Sequence, residues 1–79
     1  MEIKILGPGC RNCEKLAADA KLAAKEGGCA ADVVKVTDMK QIMTYGILST
    51  PGLVINGKVK SYGRIPSVSE IKKWIEEEK

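Results

Sequence analysis

The 79-residue chain is long enough for one small domain, and we expect residues 1–79 to form it as a unit. Its 44% apolar and 29% charged residues are typical of a globular protein, and one Trp, two Tyr and no Phe leave the core aliphatic. A net charge of +3, scattered along the chain, does not indicate a nucleic-acid or membrane partner, and the absence of histidine excludes Ser–His and Cys–His catalysis.

The first predicted elements are a strand and a long helix. Glu2–Leu6 alternates apolar and charged residues with a period of two, which predicts a strand that ends at a Gly-Pro-Gly turn. From about Arg11 to Lys25, apolar residues recur at spacings of three and four, which predicts a helix with an alanine-rich buried face. Gly27 and Gly28 form a stop signal for this helix.

A second strand and a short helix come next. The β-branched run within Cys29–Val36 predicts the strand, and strand, helix and strand in so short a span imply a right-handed parallel crossover. Asp38 is a predicted N-cap for a helix over Met39–Tyr45, with Gln41 placed to complete a capping box. The residues expected on its buried face are Ile42, Met43 and Tyr45.

A hairpin and a last helix complete the order. Gly52–Ile55 and Lys58–Tyr62 are predicted antiparallel strands, because Asn-Gly between them favours a tight turn, and the second has the charged residues of an edge strand. Ser67 and Glu70 form a capping box that opens the last helix. The order β-α-β-α-β-β-α predicts an α/β fold, a four-stranded mixed sheet flanked by three helices.

Cys10 and Cys13 lie three residues apart where the first strand gives way to the helix. The helix N-terminus favours a negative charge, so we expect a lowered pKa and raised nucleophilicity for the Cys10 thiol. Cys13 follows one turn later, close enough to form a disulfide with Cys10, which indicates thiol–disulfide exchange. Zinc and copper sites also use this spacing, so soft-metal binding stays open as an alternative.

These features together resemble the thioredoxin-like superfamily, and most closely its small, glutaredoxin-sized redox-active disulfide proteins. The resemblance covers nearly the whole chain and is carried by Gly7–Cys13 after the first strand and by Ser49–Gly57 before and through the hairpin. It implies a protein disulfide oxidoreductase in which Cys10 attacks and Cys13 resolves. No cofactor or resident metal is implied.

The resemblance also implies a substrate-binding loop. Pro51 would form a cis peptide bond with Thr50 facing the disulfide, and the Thr50 backbone would pair with an extended substrate segment. Gly63 matches a glycine after the last strand of glutaredoxins, where it would contact a bound peptide or glutathione, although a turn requirement explains it equally well.

The chain departs from the family pattern in three places. Arg11 and Asn12 separate the cysteines in place of Gly-Pro or Pro-Tyr, Gly9 stands where a tryptophan precedes the first cysteine, and Lys4 stands at the offset where thioredoxin buries a carboxylate. These departures leave the reduction potential and the choice of partner open.

The leading hypothesis is a cytoplasmic, monomeric disulfide reductase for protein substrates. Permanent disulfides are rare in the cytoplasm, and a C-x-x-C pair there is more often catalytic or metal-binding. Its electron donor is a flavin-dependent reductase or glutathione. A soft-metal carrier is the alternative, and an idle adaptor that binds a partner strand near Pro51 is a third possibility. We expect Cys29 to be a loop thiol or small buried hydrophobe, with a third redox role or an intermolecular disulfide also open.

Overall fold

The fold follows the predicted order of strands and helices. A computed structural model describes residues 1–9 and 11–79. Its strands are β1 (Glu2–Leu6), β2 (Asp32–Val36), β3 (Gly52–Ile55) and β4 (Lys58–Tyr62), and its helices are α1 (Arg11–Glu26), α2 (Met39–Thr44) and α3 (Val68–Glu77). A four-stranded mixed sheet with three helices confirms the predicted α/β, thioredoxin-like fold.

The sheet has the strand order β2-β1-β3-β4. β1 pairs with β2 in parallel, with Ile3 opposite Val33, and with β3 antiparallel, with Ile5 opposite Leu53. The hairpin places β4 at one edge of the sheet, as the charged residues of this strand predict. The C-terminal end of β1 therefore lies beside the N-terminal end of β3, and the residues that follow β1 and precede β3 share one edge of the sheet.

A β-bulge changes the predicted alternation of β4. The register shifts between Leu53 and Val54, so that Ser61 lies opposite Leu53 and is buried, whereas Val59 is 36% exposed. Lys60 is the extra residue, and its ammonium pairs with the Glu78 carboxylate at 2.9 Å. The bulge turns this lysine towards the end of α3 and away from the open edge.

One face of the sheet is covered by α1 and α3. Their apolar stripes pack on the inward-facing residues of β1 and β3 and form the first cluster, whose buried members are Ile3, Ile5, Leu16, Ala17, Ala20, Ala23, Ala24, Leu53, Ile55, Ile71 and Ile75. The four alanines let α1 approach the sheet closely. Trp74 is partly buried against this cluster.

Within the part of the chain that the structure describes, only α2 covers the opposite face. The second cluster is smaller and consists of Leu6, Val36, Ile42, Ile47 and Val54, with Tyr45 packed at its side. The prediction that Met43 joins this buried face is wrong, because its side chain is 70% exposed, and Met39 is 53% exposed. A helix of six residues has room to bury only one narrow stripe, which Ile42 supplies.

The two later helices begin with side-chain caps. Asp38 accepts a hydrogen bond from the Lys40 N–H at 2.8 Å, but within the described residues Gln41 does not complete the predicted box. At α3 the predicted box is present, because Ser67 Oγ accepts from the Glu70 N–H and the Glu70 carboxylate accepts from the Ser67 N–H, both at 3.1 Å. No helix within residues 1–9 and 11–79 is both long and apolar enough to cross a membrane.

Candidate active site

Cys13 lies in the first turn of α1 and is buried, with 3% of its surface exposed. Its predicted partner Cys10 lies outside the described residues, so of the predicted Cys10–Cys13 pair the structure describes Cys13. α1 begins at Arg11, the residue after Cys10 in the sequence. The carboxylate of Glu14 in the same turn forms an ion pair with Lys35 on β2, with 2.6 Å between the charged atoms.

Gly7 holds Cys13 against the end of β1. A Cβ on Gly7 would overlap with Cys13 Sγ and would lie 3.8 Å from Thr50 Cβ. The Gly7 N–H donates to the Val36 carbonyl at 2.9 Å, which fixes the backbone of Gly7 in line with β1 and β2. Residue 7 must therefore be glycine, because only a residue without a side chain leaves room for Cys13 Sγ. The same contact places the Cys13 sulfur beside the loop that contains Thr50.

The Thr50–Pro51 peptide bond is cis, the geometry expected from the family resemblance. Pro51 is buried, and Thr50 is partly exposed beside it. Within residues 1–9 and 11–79, the backbone N–H and C=O of Thr50 have no hydrogen-bond partner. This loop thus presents a short piece of unpaired backbone next to Cys13.

Gly63 closes the other side of the loop. Its N–H donates to the Pro51 carbonyl at 3.0 Å, and its positive φ of 75° favours glycine. A Cβ on Gly63 would also overlap with Ser49 Oγ. The structure therefore brings together the predicted residues Cys13, Thr50, Pro51 and Gly63.

A charged network anchors the segment after Gly63 to α3. The Arg64 guanidinium donates to both oxygens of the Glu70 carboxylate, at 3.3 and 2.9 Å, and lies 6.0 Å from the centre of the Trp74 ring. The hydrogen bond from Arg64, and next the backbone hydrogen bond from Ser67, lower the pKa of Glu70 from 4.5 to about 2. The hydrogen bond to Glu70, and next the charge of that carboxylate, raise the pKa of Arg64, so the pair remains ionised at neutral pH.

Comparison with known proteins decides the family. A family model described as "Thioredoxin domain" matches residues 1–76. A curated protein named thioredoxin from Methanothermobacter thermautotrophicus is 44% identical over 73 residues, which cover 92% of this chain and 95% of the relative. A second thioredoxin, from Methanocaldococcus jannaschii, is 40% identical over 70 residues, which cover 89% of this chain and 80% of the relative. The chain belongs to the thioredoxin domain family.

Membership of the thioredoxin domain family identifies the chain as a thiol–disulfide oxidoreductase and confirms the resemblance drawn from its sequence. Disulfides are accordingly its class of substrate, and a reductase-type donor supplies its electrons. The edge of the sheet where Cys13, Thr50 and Pro51 meet is the candidate site for this chemistry.

Lys4 occupies the offset at which thioredoxin buries a carboxylate. Its ammonium donates to the Tyr45 hydroxyl at 3.1 Å and lies 3.6 Å from the Glu2 carboxylate, and its side chain is 31% exposed. The hydrogen bond to Tyr45 and the charge of Glu2 raise the pKa of Lys4. The position therefore holds a cation on the face of the sheet that α2 covers, in place of an acid.

Cys29 follows the last residues of α1, at the end of the helix away from Cys13. Its thiol is partly buried against the first cluster, and its Sγ lies 3.8 Å from Met1 Sδ. Among residues 1–9 and 11–79, no three Cys, Asp or Glu side chains are grouped as metal ligands. Cys29 thus occupies the packing position that the sequence favoured.

The predicted site lacked two features that the structure supplies. The sequence predicts only that Gly7 is part of a turn. The structure shows that a side chain is not tolerated at this position, because it would overlap with Cys13 Sγ. The sequence also did not predict the apolar groove beside Thr50, between α2 and the Ser49–Thr50 segment, because Met43 was expected on the buried face of the helix. The only sequence signal for this groove is the presence of two methionines, Met39 and Met43, in the short predicted helix.

Proposed function

We propose that this thioredoxin-domain protein reduces disulfide bonds in other proteins, with Cys10 as the attacking thiol and Cys13 as the resolving thiol. The observation that carries the proposal is the packing of Cys13 Sγ against Gly7, at the start of α1 and beside the Thr50–Pro51 loop. A sulfur in this place is within one helical turn of Cys10 in the sequence and adjacent to backbone that a substrate could pair with.

The proposed reaction has two exchange steps. The Cys10 thiolate attacks one sulfur of a substrate disulfide, so that a mixed disulfide forms and the other substrate sulfur leaves as a thiolate that takes a proton from solvent. Cys13, after giving its proton to solvent, attacks Cys10 Sγ and releases the second substrate thiolate. The substrate gains two electrons, and the Cys10–Cys13 disulfide that forms holds the oxidised state.

The start of α1 would make Cys10 reactive. The first N–H groups of a helix have no partner within it, and together with the helix dipole they favour an anion at this end. A thiolate in the residue before Arg11 would be such an anion. The exposed guanidinium of Arg11 adds a positive charge that solvent screens, so the backbone supplies the larger part of the effect.

Thr50, Pro51 and Gly63 would position the substrate. An extended segment beside the site would form hydrogen bonds with the backbone of Thr50, while Pro51, which has no N–H, would not compete with it. Gly63 would hold the loop in place through its hydrogen bond to the Pro51 carbonyl, at 3.0 Å. The substrate disulfide would then lie over the start of α1.

The oxidised protein needs a donor of two electrons to return to its dithiol form. A flavin-dependent reductase or glutathione would serve, and residues 1–79 would act as a monomeric domain in the cytoplasm, where such donors keep thiols reduced. The family match supports this exchange chemistry and gives no support to the soft-metal carrier considered as the alternative.

Serine variants test the two cysteine roles. In an insulin-reduction assay with dithiothreitol, Cys10→Ser should fall to the uncatalysed rate, because no thiolate remains to attack. Cys13→Ser lacks the resolving thiol, so after incubation with insulin in the absence of dithiothreitol it should hold a mixed disulfide with the substrate, visible by non-reducing electrophoresis and mass spectrometry. Cys29→Ser, a thiol at the other end of α1, is the matched control and should retain activity. Full activity in Cys10→Ser would show that the nucleophile is assigned wrongly.

A further inference from the structure

The outer edge of β4 has backbone groups that face solvent, because in the described sheet β4 pairs with β3 alone. Asn56 and Gly57 form a two-residue turn with positive φ at both positions. Ile55 and Lys58 flank this turn and therefore exchange both backbone hydrogen bonds. Such pairs alternate with pairs that are not hydrogen-bonded, so the N–H and C=O of Val59 point away from β3. An extended segment could bind to these groups as a fifth strand.

A groove of about 250 Å³ follows this edge, and we call it the edge groove. Its lining residues are Val59, Lys60, Ser61, Tyr62 and Arg64, none of which is acidic. Edge strands commonly carry a lysine that blocks further pairing. Here the side chain of Lys60 is only 14% exposed and pairs with Glu78, because the β-bulge turns it towards α3. The edge is therefore left accessible to another strand.

One side of the edge groove is apolar. Val59 is 36% exposed and Tyr62 is 49% exposed. Val59 lies opposite Val54, a member of the second cluster, so its side chain is on the face of the sheet that α2 covers. Tyr62 lies opposite Gly52, where a Cβ would contact Ile47 of the same cluster. These two side chains offer an apolar contact on this face.

The other side of the edge groove is cationic. The Arg64 guanidinium is 52% exposed, donates one N–H from each terminal nitrogen to Glu70, and has further N–H groups for a second acceptor. Lys58 and Lys60 share the single carboxylate of Glu78, so one positive charge at this edge is not neutralised. This side therefore favours a carboxylate on the binding partner.

We propose that the outer edge of β4 binds an extended segment of another protein in which apolar and acidic residues alternate. Successive side chains of an added strand point to opposite faces of the sheet. Its apolar side chains would contact Val59 and Tyr62, and its acidic side chains would lie on the side of Arg64.

The charges of β4 disfavour a second copy of this chain as the occupant. Antiparallel pairing of two β4 strands would bring Lys58 and Lys60 of both copies to one interface, and like charges across a strand pair are destabilising. The proposed segment supplies the opposite charge. Its binding does not involve the thiols, so the inference goes beyond the proposed function and does not depend on it.

Three peptides without cysteine test the inference by fluorescence anisotropy. The first alternates valine and glutamate, the second alternates valine and lysine, and the third contains the residues of the first in the order Val-Val-Glu-Glu. We expect the first to bind about tenfold more tightly than the second, because cross-strand attraction replaces repulsion. The third should bind more weakly than the first, since its side chains do not match the two sides of the edge groove.

Variants assign the binding to β4. Val59→Pro removes the outward N–H and should lose binding of the first peptide, whereas Val59→Thr keeps that N–H and should retain it. Arg64→Gln should bring the ratio of the dissociation constants for the first and second peptides towards one. Lys21→Gln removes an exposed charge on α1 and is the matched control, so it should keep the wild-type ratio.

Nuclear magnetic resonance of the wild-type protein makes the test independent of whether Val59→Pro folds. The first peptide should shift the amide signals of Val59 and Tyr62 more than that of Thr50. Larger shifts at Thr50, equal affinities for the first and third peptides, or no binding would overturn the inference. A wild-type dimer that Val59→Thr preserves and Val59→Pro dissociates would also overturn it, because a second copy would then occupy the edge. Insulin reduction tests the proposed function separately, and its outcome leaves these results unchanged.

Discussion

The face of the sheet under α1 and α3 is closed, whereas the face under α2 is open at the edge near Thr50. No buried member of the first cluster is more than 5% exposed. The second cluster has five buried members, and the large apolar side chains of Met39, Met43 and Leu48 continue from it into solvent. The difference indicates that the first face supplies most of the stability of this small domain, whereas the second face leaves apolar surface exposed beside the candidate active site.

Helix length accounts for the difference. α1 has 16 residues and α3 has 10, so their stripes cover the inner residues of β1 and β3 from end to end. α2 has six residues and is anchored chiefly by Ile42. A short helix leaves part of its own apolar surface uncovered, and that surface lies beside the candidate active site.

The largest expected effect tests the closed face. Ile71→Ala should lower the free energy of unfolding by about 3–4 kcal/mol, because it leaves a cavity in the first cluster that the packed alanines of α1 cannot fill. Met43→Ala on the open face should change it by less than about 0.5 kcal/mol, since its side chain is 70% exposed. Urea unfolding followed by circular dichroism measures both values.

Ile71→Val extends this test in case the alanine variant does not fold. It removes one methylene and should lower the free energy of unfolding by about 1 kcal/mol. A loss for Met43→Ala as large as that for Ile71→Val would mean that the two faces contribute equally to stability, contrary to the comparison.

A smaller effect is expected at Gly7, at the edge of the sheet beside Cys13 and Thr50. Gly7→Ala should lower the free energy of unfolding by about 1–3 kcal/mol, because the added Cβ overlaps with Cys13 Sγ. Cys13→Ala removes that sulfur, and the Cys13 Cβ lies 3.4 Å from the added Cβ, an ordinary contact. Gly7→Ala should therefore cost much less in the Cys13→Ala background.

The four proteins of this double-mutant cycle are compared by urea unfolding under reducing conditions. If Gly7→Ala lowers the free energy of unfolding by the same amount with and without the Cys13 sulfur, the contact between these two residues does not limit the size of the side chain at position 7.

The smallest effect concerns the start of α3, where the closed face is linked to the Gly63 segment. The pKa of Glu70 is lowered from 4.5 to about 2 by Arg64 and Ser67, so the ionised carboxylate stabilises the folded state. This contribution is fully present above about pH 4.5 and is lost as the pH falls towards 2. The difference in Tm between wild type and Glu70→Gln should therefore narrow over that range.

Glu77→Gln is the control for this pH series, because Glu77 lies on the same helix and forms no ion pair within residues 1–9 and 11–79. The difference in Tm between wild type and Glu77→Gln should not narrow between pH 4.5 and 2 as the difference for Glu70→Gln does. A constant gap for Glu70→Gln between pH 4.5 and 2 would contradict the assignment of the stabilising carboxylate. The effect should also weaken with added salt, since the Arg64–Glu70 pair is exposed.

The sequence was most informative where local chemistry decides the structure. Asn56-Gly57 gave the bounds of β3 and β4, and Ser67 with Glu70 gave the start of α3, because turns and caps depend on residues close in the chain. The fold class followed from the order of these elements. The cis geometry of Thr50–Pro51 came from the family resemblance alone, since most X–Pro bonds are trans.

The remaining features depend on contacts between distant segments. Periodicity in a helix as short as α2 did not reveal that Met43 faces solvent, and the bulge that buries Ser61 depends on the pairing with Leu53. The role of Gly7 required knowledge of where Cys13 Sγ lies after α1 has packed on the sheet. The groove beside Thr50 likewise exists only once α2 and the following segment are in place.

Asn56, in the turn between β3 and β4, joins both ends of the chain. Its backbone N–H donates to the Glu2 carbonyl at 2.8 Å, its side-chain oxygen accepts from the Glu2 N–H at 3.0 Å, and its side-chain nitrogen donates to the Glu78 carbonyl at 3.3 Å. This turn lies at the edge of the sheet away from Thr50 and Gly63. A fusion partner or a surface linker attached at either terminus would therefore point away from Cys13 and the Thr50–Pro51 loop, and an immobilised protein would face this edge towards the solution.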